Sequence, residues 1–232
     1  MIMILQGVVG SQAYGLATPE SDVDLLAVHV EPTKDVLGFG ISKSRQTLTT
    51  SKPDTTSHEI GKYVSLALRC NPTILEAMWL TSHTVLTEVG KELVDLRYHF
   101  LSEKFVKSAY IGYAMQQAKR LAAREEKGKA GFGDVPANRT AKHGRHCYRL
   151  LLQAQQLLTQ ETLTVRLDDR QVDVVREMGA WAERDPQAFS AAAQNTAHAL
   201  DVTPTHLFDA PETETIERWL VSVRVREPYG LV

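Results

Sequence analysis

The chain has 232 residues and a formal net charge of −2, with 43% hydrophobic and 23% charged residues. This length accommodates a main domain with a smaller appended one. The near-neutral charge argues against a protein that coats nucleic acid by charge alone, and the apolar runs are too short to span a membrane. Cys70 and Cys147 are expected to be free thiols, and no signal peptide is visible at the start. We therefore expect a cytoplasmic protein with no membrane partner.

The first hundred residues carry the strand signals. Met1 to Val9 is a short apolar run that predicts a buried strand, and Gln12 to Leu16 is predicted to form a short helix or turn. Leu25 to Val30 is a second apolar run and a second predicted strand. Further extended segments are predicted at 46–50 and 53–59, and amphipathic helices at 60–69 and 73–80.

The rest of the chain has the periodicity of helices. Two long helices are predicted over Glu103 to Glu126 and Asn138 to Thr159, joined by a glycine-containing loop, Gly128 to Pro136. A brief strand is expected at Thr162 to Leu167. The remaining helices are predicted near 170–181, 186–200 and 212–225.

The order of these signals, strands first and helices after, indicates an α+β fold. We expect a core over residues 1–100, built on a small β-sheet, and a helical C-terminal domain over residues 101–232. Neither an internal repeat nor a low-complexity segment interrupts this division of the sequence.

Two aspartates stand at the head of the second predicted strand. Asp22 and Asp24 are two residues apart, so their side chains point to the same side of an extended chain. Paired carboxylates bind divalent cations such as Mg²⁺, which prefers carboxylate, phosphate and water oxygens. The turn after the first strand carries Gly10 and Ser11, and its amides and hydroxyl suit the β- and γ-phosphates of a nucleotide. These features indicate nucleotidyl transfer, in which two metal ions stabilise the attacking and leaving oxygens.

A third carboxylate on a neighbouring strand usually completes such a site and helps to deprotonate the acceptor hydroxyl. Two residues compete for this place, because Asp54 opens the extended segment at 53–59 and Glu59 ends it. The two positions have opposite parity, so a regular strand cannot turn both toward the metals. The residues alone leave the choice open.

The motif Gly10-Ser11-x-x-Tyr14-Gly15, followed by Ser21-Asp22-x-Asp24, resembles the DNA polymerase β-type nucleotidyltransferase superfamily. Within it, the resemblance is closest to the RNA-ligase-associated, RNA-repair-linked branch, over roughly residues 7–79. That branch has an acid before a Lys-Phe/Tyr pair, then leucine, Asn-Pro and a helix with glutamate. The corresponding residues are Asp54, Lys62-Tyr63, Leu66, Asn71-Pro72 and Glu76. The resemblance therefore favours Asp54 over Glu59 as the third acid.

The resemblance also implies a fold and a cofactor. It implies a small mixed β-sheet nucleotidyltransferase core, with two Mg²⁺ or Mn²⁺ ions held by Asp22, Asp24 and Asp54. The motif residues that it implies in nucleotide binding are Gly10, Ser11, Tyr14 and Ser21. One departure is that the family usually has a helix before the first strand. Here the strand begins at the first residue, so that helix is either trimmed or replaced from elsewhere.

Basic residues concentrate on the predicted helix over 138–159. One broad face holds, at helical spacing, Asn138, Lys142, Arg145, His146 and Arg149. Such a face is either simply solvated or closes over the metal site and binds the triphosphate or an acceptor phosphate. A similar Lys-x-x-x-His-x-x-Arg helix in the resembled family favours binding, by Lys142, His146 and Arg149. Arg139 and the loop before it are expected to form a mobile lid.

We expect an enzyme that moves NMP from an NTP to a hydroxyl group and releases pyrophosphate. The resemblance makes an RNA end the leading acceptor, with tRNA among the candidates. One alternative is nucleotidylation of a protein or a small molecule, and another is a non-catalytic nucleotide-binding or antitoxin-like module. The intact Asp22-x-Asp24 pair argues against the non-catalytic module. The base of the NTP and the oligomeric state are left open by the sequence.

Overall fold

The computed structural model describes residues 1–38, 46–129 and 137–230, with the side chains of 123–129 and 137–139 outside the description. The chain divides into two compact units. The first comprises Met1–Leu101 with Ala210–Val232, and the second comprises Ser102–Asp209. A mixed sheet together with many helices confirms the predicted α+β fold.

The first unit is built, within the described residues, on a five-stranded sheet. Its strands are β1 (Ile2–Val9), β2 (Asp24–Val30), β3 (Thr47–Ser51), β4 (Asp54–Glu59) and β5 (Val85–Leu86). Their order across the sheet is β3-β4-β2-β1-β5. Strands β2 and β4 are parallel and the other neighbours are antiparallel, so the sheet is mixed as expected. Strand β5 was not predicted, because two residues are too few to show an alternating pattern.

Strand β2 lies inside the sheet because it is apolar on both faces. Its buried hydrophobic residues are Leu26, Ala27, Val28 and Val30. A strand covered on both faces appears in sequence as a continuous hydrophobic run. The one interior polar side chain described on this strand, His29, is hydrogen-bonded through Nδ1 to the Ser57 hydroxyl of β4 at 2.7 Å. The interior of β2 is therefore structural, and its first residue, Asp24, is the acid that solvent can reach.

Five helices precede Leu101 in the described part of the first unit. They are α1 (Gly10–Tyr14), α2 (Thr33–Leu37), α3 (Ile60–Ala67), α4 (Pro72–Glu76) and α5 (Glu88–Asp95), with 3-10 turns at Ala77–Trp79 and Leu96–Phe100. Side chains cap three of their starts. Glu59 accepts from the Gly61 amide, Asn71 from the Ile74 amide and Thr87 from the Gly90 amide.

The described part of the second unit consists of helices joined by irregular segments. It contains α6 (Glu103–Val106), a π-helical turn (Lys107–Ile111), α7 (Gly112–Lys129), α8 (Ala137–Gln160), α9 (Asp169–Arg184) and α10 (Pro186–Asp201). The predicted strand over 162–167 is wrong, since this segment pairs with no other described strand. The alternating pattern has another cause, because Leu163, Val165 and Leu167 are buried in a segment without regular secondary structure. Within the described ranges, no helix is both long enough and apolar enough to cross a bilayer.

The last helix, α11 (Thr213–Arg226), packs with the first unit. Arg224 forms an ion pair of 2.6 Å with Glu59, and Arg226 donates two hydrogen bonds to Glu92. The boundary expected from sequence, which placed 101–232 in one domain, therefore differs from the observed division. Contacts that join residues more than 130 positions apart leave no local pattern to predict them.

Candidate active site

The first residues of β2 and β4 bring two carboxylates to one place. Asp24 and Asp54 are direct partners in the parallel register of these strands. Neighbouring strands lie about 4.8 Å apart, and residues in register point to the same face of the sheet. Asp24 is half-buried and Asp54 is exposed. Two acids therefore stand side by side at an accessible edge of the sheet.

Asp22 lies in the irregular segment that leads into β2, where it is exposed. A tight turn fixes this segment. The Ser21 amide donates to the Thr18 carbonyl oxygen at 2.9 Å, and the Thr18 amide donates to the Ser21 hydroxyl at 2.9 Å. Gln12 of α1 donates to the Ser21 carbonyl oxygen at 3.5 Å. The Ser21 side chain, predicted to bind nucleotide, is thus used in the turn that delivers Asp22.

The turn between β1 and α1 requires glycine at position 10. Gly10 has φ of +70°, in the left-handed region, and a Cβ there would lie 2.8 Å from Asp24 Oδ2. The Asp24 carboxylate therefore lies directly against the backbone of the Gly10-Ser11 turn. This places the predicted phosphate-binding turn beside the predicted metal-binding acid, with half-buried Ser11 next along the chain.

Tyr14, the last residue of α1, has a partner within the protein. Its hydroxyl donates to Glu76 Oε2 of α4 at 2.6 Å, and Glu76 is 1% exposed. Tyr14 thus anchors α1 through Glu76, and its contact with nucleotide stays a prediction.

Glu59 is engaged in the fold at the far end of β4. It is buried, accepts from the Gly61 amide at 2.7 Å, and lies 2.6 Å from Arg224. Its partner in the parallel register is His29, five residues beyond Asp24. The geometry thus favours Asp54 as the third acid and gives Glu59 a structural role.

Three carboxylates are the donors that Mg²⁺ and Mn²⁺ prefer, so the chemistry of Asp22, Asp24 and Asp54 fits these ions. The register supplies two of them side by side. Over the part of the chain that the structure describes, however, no three His, Cys, Asp or Glu side chains already surround a common point. Asp22 lies outside the sheet, so whether it joins Asp24 and Asp54 at a metal ion depends on the segment held by the Thr18–Ser21 turn.

The basic residues of α8 belong to the second unit. Lys142 is exposed, His146 is half-buried and Arg149 is buried. Arg149 donates to Gln153 Oε1 at 2.9 Å and its Nη2 lies 3.1 Å from His146 Nδ1. Of these three predicted nucleotide-binding residues, Lys142 is the one whose cation reaches solvent, and Arg149 is held inside the unit.

Positive charge gathers around His146. Burial, together with nearby positive groups, lowers the pKa of His146 to about 4; these groups are Arg149, His143, Lys142 and Arg120. The imidazole is therefore neutral at physiological pH, which suits the Arg149 hydrogen bond to its Nδ1. The predicted contributions of Asn138 and Arg139, and of most of the loop before them, lie outside the described residues.

Sequence reasoning missed three contributors. Gln12 is coupled to the Ser21 turn, Arg120 of α7 lies near His146, and Arg224 neutralises Glu59. Only the packing of distant segments reveals them. For Glu76 the sequence did indicate a buried partner, since an acid on an otherwise apolar short helix needs one when it is buried.

A sequence model of the RNA repair pathway DNA polymerase beta family matches residues 2–202 of the chain. The chain belongs to this family. Membership in this DNA polymerase β-like group indicates a nucleotidyltransferase and agrees with the resemblance found in the motifs. The matched region of this RNA repair pathway family member spans the strands of the sheet and reaches the end of α10.

The chain is also similar to an uncharacterised 38.9 kDa protein from the nrdC-mobD intergenic region of Enterobacteria phage T4. The two are 30% identical over 132 residues. The matched region covers 52% of this chain and 39% of the phage protein. The chain thus matches less than half of the length of that relative.

Proposed function

We propose that this protein transfers NMP from an NTP to a hydroxyl group at an RNA end, with release of pyrophosphate. The observation that carries the proposal is the parallel register of Asp24 with Asp54, beside the turn at Gly10. Membership in an RNA repair pathway family supports RNA as the acceptor. A hydroxyl on a protein or a small molecule is the alternative acceptor.

In the proposed reaction the acceptor oxygen forms a bond to the α-phosphorus as the bond to the pyrophosphate oxygen breaks. Asp22, Asp24 and Asp54 would hold Mg²⁺ or Mn²⁺, which supplies positive charge against the oxygens of the reacting phosphate. Asp54, the most exposed of the sheet-edge pair, takes the proton of the acceptor hydroxyl. The Gly10-Ser11 turn binds the β- and γ-phosphates through its amides and the Ser11 hydroxyl.

The second unit supplies cations for an anionic group of the substrate. Lys142 is exposed and carries the direct contact in this proposal. Neutral His146 donates a hydrogen bond through Nε2, while Arg149 fixes the ring by its contact with Nδ1. Arg149 therefore acts through His146 rather than by touching phosphate.

Incubation with labelled NTPs, Mg²⁺ or Mn²⁺ and an RNA pool tests the proposal. We expect labelled RNA from the wild type, and none when each RNA end has its hydroxyl blocked. Asp22→Asn, Asp24→Asn and Asp54→Asn should each abolish most of the labelling. Asp95→Asn, which alters an exposed carboxylate on α5, is the matched control and should label RNA as the wild type does.

Other outcomes would redirect or reject the assignment. Labelling of the protein itself, or of an added small alcohol, in place of RNA would change the acceptor. Tight NTP binding in calorimetry without metal dependence or turnover would support a binding module. Equal labelling by Asp24→Asn and the wild type would contradict the proposed site.

A further inference from the structure

Helix α1 carries the turn that the proposed reaction needs, yet it has only five residues. Helices shorter than about 12 residues are marginal in water, because nucleating the first turn is costly. The position of Gly10 and Ser11 must therefore be set by contacts that α1 makes elsewhere in the first unit. Strand β1 fixes the start of α1 covalently, and the other end needs an anchor.

Tyr14 provides that anchor at the end of α1. Its hydroxyl donates to Glu76 Oε2 at 2.6 Å, a short hydrogen bond between residues 62 positions apart. Glu76 is 1% exposed and Tyr14 is half-buried, so the bond is partly shielded from competing water. Hydrogen bonds to a carboxylate are about twice as strong as neutral ones, so the loss of this bond should loosen the end of α1.

The anchored helix touches both parts of the proposed site. Gln12, in the middle of α1, donates to the Ser21 carbonyl oxygen next to Asp22. Gly10, at its start, lies against the Asp24 carboxylate closely enough to exclude a Cβ. A small rotation of α1 would therefore shift the phosphate-binding turn relative to both aspartates.

We infer that Tyr14 and Glu76 form a positioning pair, which holds the Gly10-Ser11 turn in the arrangement that binds the β- and γ-phosphates of the NTP. The pair acts through α1 and touches neither the substrate nor the metal. This inference rests on the proposed function, and it assigns Tyr14 a role different from the expected contact with nucleotide.

The first test is Tyr14→Phe, which removes one hydroxyl and keeps the ring. We expect KM for the NTP to rise about tenfold with kcat nearly unchanged, because the lost contact serves binding in ground and transition states alike. The Kd of a non-hydrolysable NTP with Mn²⁺, measured by calorimetry, should rise by the same factor.

Tyr63→Phe is the matched control. The Tyr63 hydroxyl is fully buried in the same unit and donates to the Ile74 carbonyl oxygen at 2.8 Å. The control removes a buried tyrosine hydroxyl bond of comparable length without touching α1. Both variants are expected to unfold at lower temperature, whereas only Tyr14→Phe should change KM and the calorimetric Kd.

Substitutions at Glu76 separate positioning from general stability. Glu76→Gln keeps an acceptor oxygen for the Tyr14 hydroxyl, so KM should stay close to the wild-type value. Glu76→Leu removes the acceptor and should raise KM as Tyr14→Phe does. The double variant Tyr14→Phe/Glu76→Leu should have the same KM as either single variant, because both changes break the same Tyr14–Glu76 hydrogen bond.

The result that overturns the inference is an equal KM and Kd for Tyr14→Phe, Tyr63→Phe and the wild type. A KM increase in the double variant equal to the product of the two single increases would also overturn it. If Glu76→Leu does not fold, the comparison of Tyr14→Phe with Tyr63→Phe still decides. Failure of the proposed function is a different result, since the wild type would then neither bind nor transfer any NTP.

Discussion

The two ends of strand β4 carry the same chemical group in opposite surroundings. At its start, Asp54 is exposed and stands in register with Asp24. At its end, Glu59 is buried, paired with Arg224 and bonded to the Gly61 amide. The Glu59 carboxylate is buried and engaged by Arg224 and the Gly61 amide, whereas the Asp54 carboxylate is exposed to solvent. The surroundings, and not the residue type, therefore separate the catalytic candidate from the structural acid.

The largest expected effect comes from removing the negative charge of Asp24 or Asp54, at the accessible ends of β2 and β4. Asp24→Asn or Asp54→Asn should reduce NMP transfer about 10³-fold, the scale for removing a group that stabilises transition-state charge. Since Asp54 is exposed, Asp54→Asn should change the free energy of unfolding by less than about 0.5 kcal/mol. Steady-state transfer from a labelled NTP and urea denaturation measure the two quantities. Wild-type transfer by Asp54→Asn would remove this residue from the site.

The next largest effect is expected at Glu59, at the buried end of β4. Glu59→Gln leaves the Arg224 cation without its partner and should lower the free energy of unfolding by about 3 kcal/mol. Transfer per folded molecule should be retained. The double variant Glu59→Gln/Arg224→Met removes both charges and should recover part of the stability. A Glu59→Gln protein that is stable but inactive would reverse the roles given to the two acids.

The part of the candidate site that could be predicted from sequence is the sheet edge that carries Asp24 and Asp54. The Asp22-x-Asp24 spacing, the apolar run of β2 and the glycine turn are local patterns, and all of them lead to the same sheet edge. Parity showed that Asp54 and Glu59 could not both serve. The α+β class followed equally well from the order of strand and helix signals.

What sequence could not show depends on distant partners. The Tyr14 hydroxyl reaches Glu76 across 62 residues, and Arg224 reaches Glu59 from the last helix. The spacing of Arg149 predicted a solvent-facing cation, yet its contacts with Gln153 and His146 hold it inside the second unit. Helical spacing predicts which residues share one face of a helix, whereas packing against other helices determines which of them are buried.

A smaller effect is expected where the turn meets Asp24. Gly10→Ala introduces a Cβ 2.8 Å from Asp24 Oδ2 at a residue with φ of +70°. Adopting this conformation costs a non-glycine residue about 1–2 kcal/mol, and the displaced carboxylate should lower transfer about tenfold. Gly112→Ala is the control, because a Cβ there meets no described atom within 4 Å. Equal transfer rates for the two variants would show that the turn and Asp24 are not coupled.

The smallest effect concerns Glu92, a second acid held by α11 but less buried than Glu59. Hydrogen bonds from Arg226, with a further one from Trp219, hold the pKa of Glu92 below its ordinary 4.5. The resulting stability is present above pH 4.5 and is lost as the pH falls through the folded-state pKa. Because 38% of the side chain is exposed, solvent screening should keep the contribution below about 1 kcal/mol.

Urea denaturation of the wild type and Glu92→Gln measures this contribution. The stability difference between them should be largest near neutral pH and should shrink in acid. A difference that grows as the pH falls would contradict the assigned sign. High salt should reduce it as well, whereas the buried Glu59–Arg224 pair should respond less.

The most direct measurement is a crystal structure with Mn²⁺ and a non-hydrolysable NTP, read from the anomalous scattering of manganese. We expect anomalous peaks coordinated by the carboxylates of Asp22, Asp24 and Asp54. The triphosphate should lie on the Gly10-Ser11 turn, and Glu59 should remain paired with Arg224. Manganese bound at Glu59, or a triphosphate bound away from the Gly10-Ser11 turn, would contradict this account.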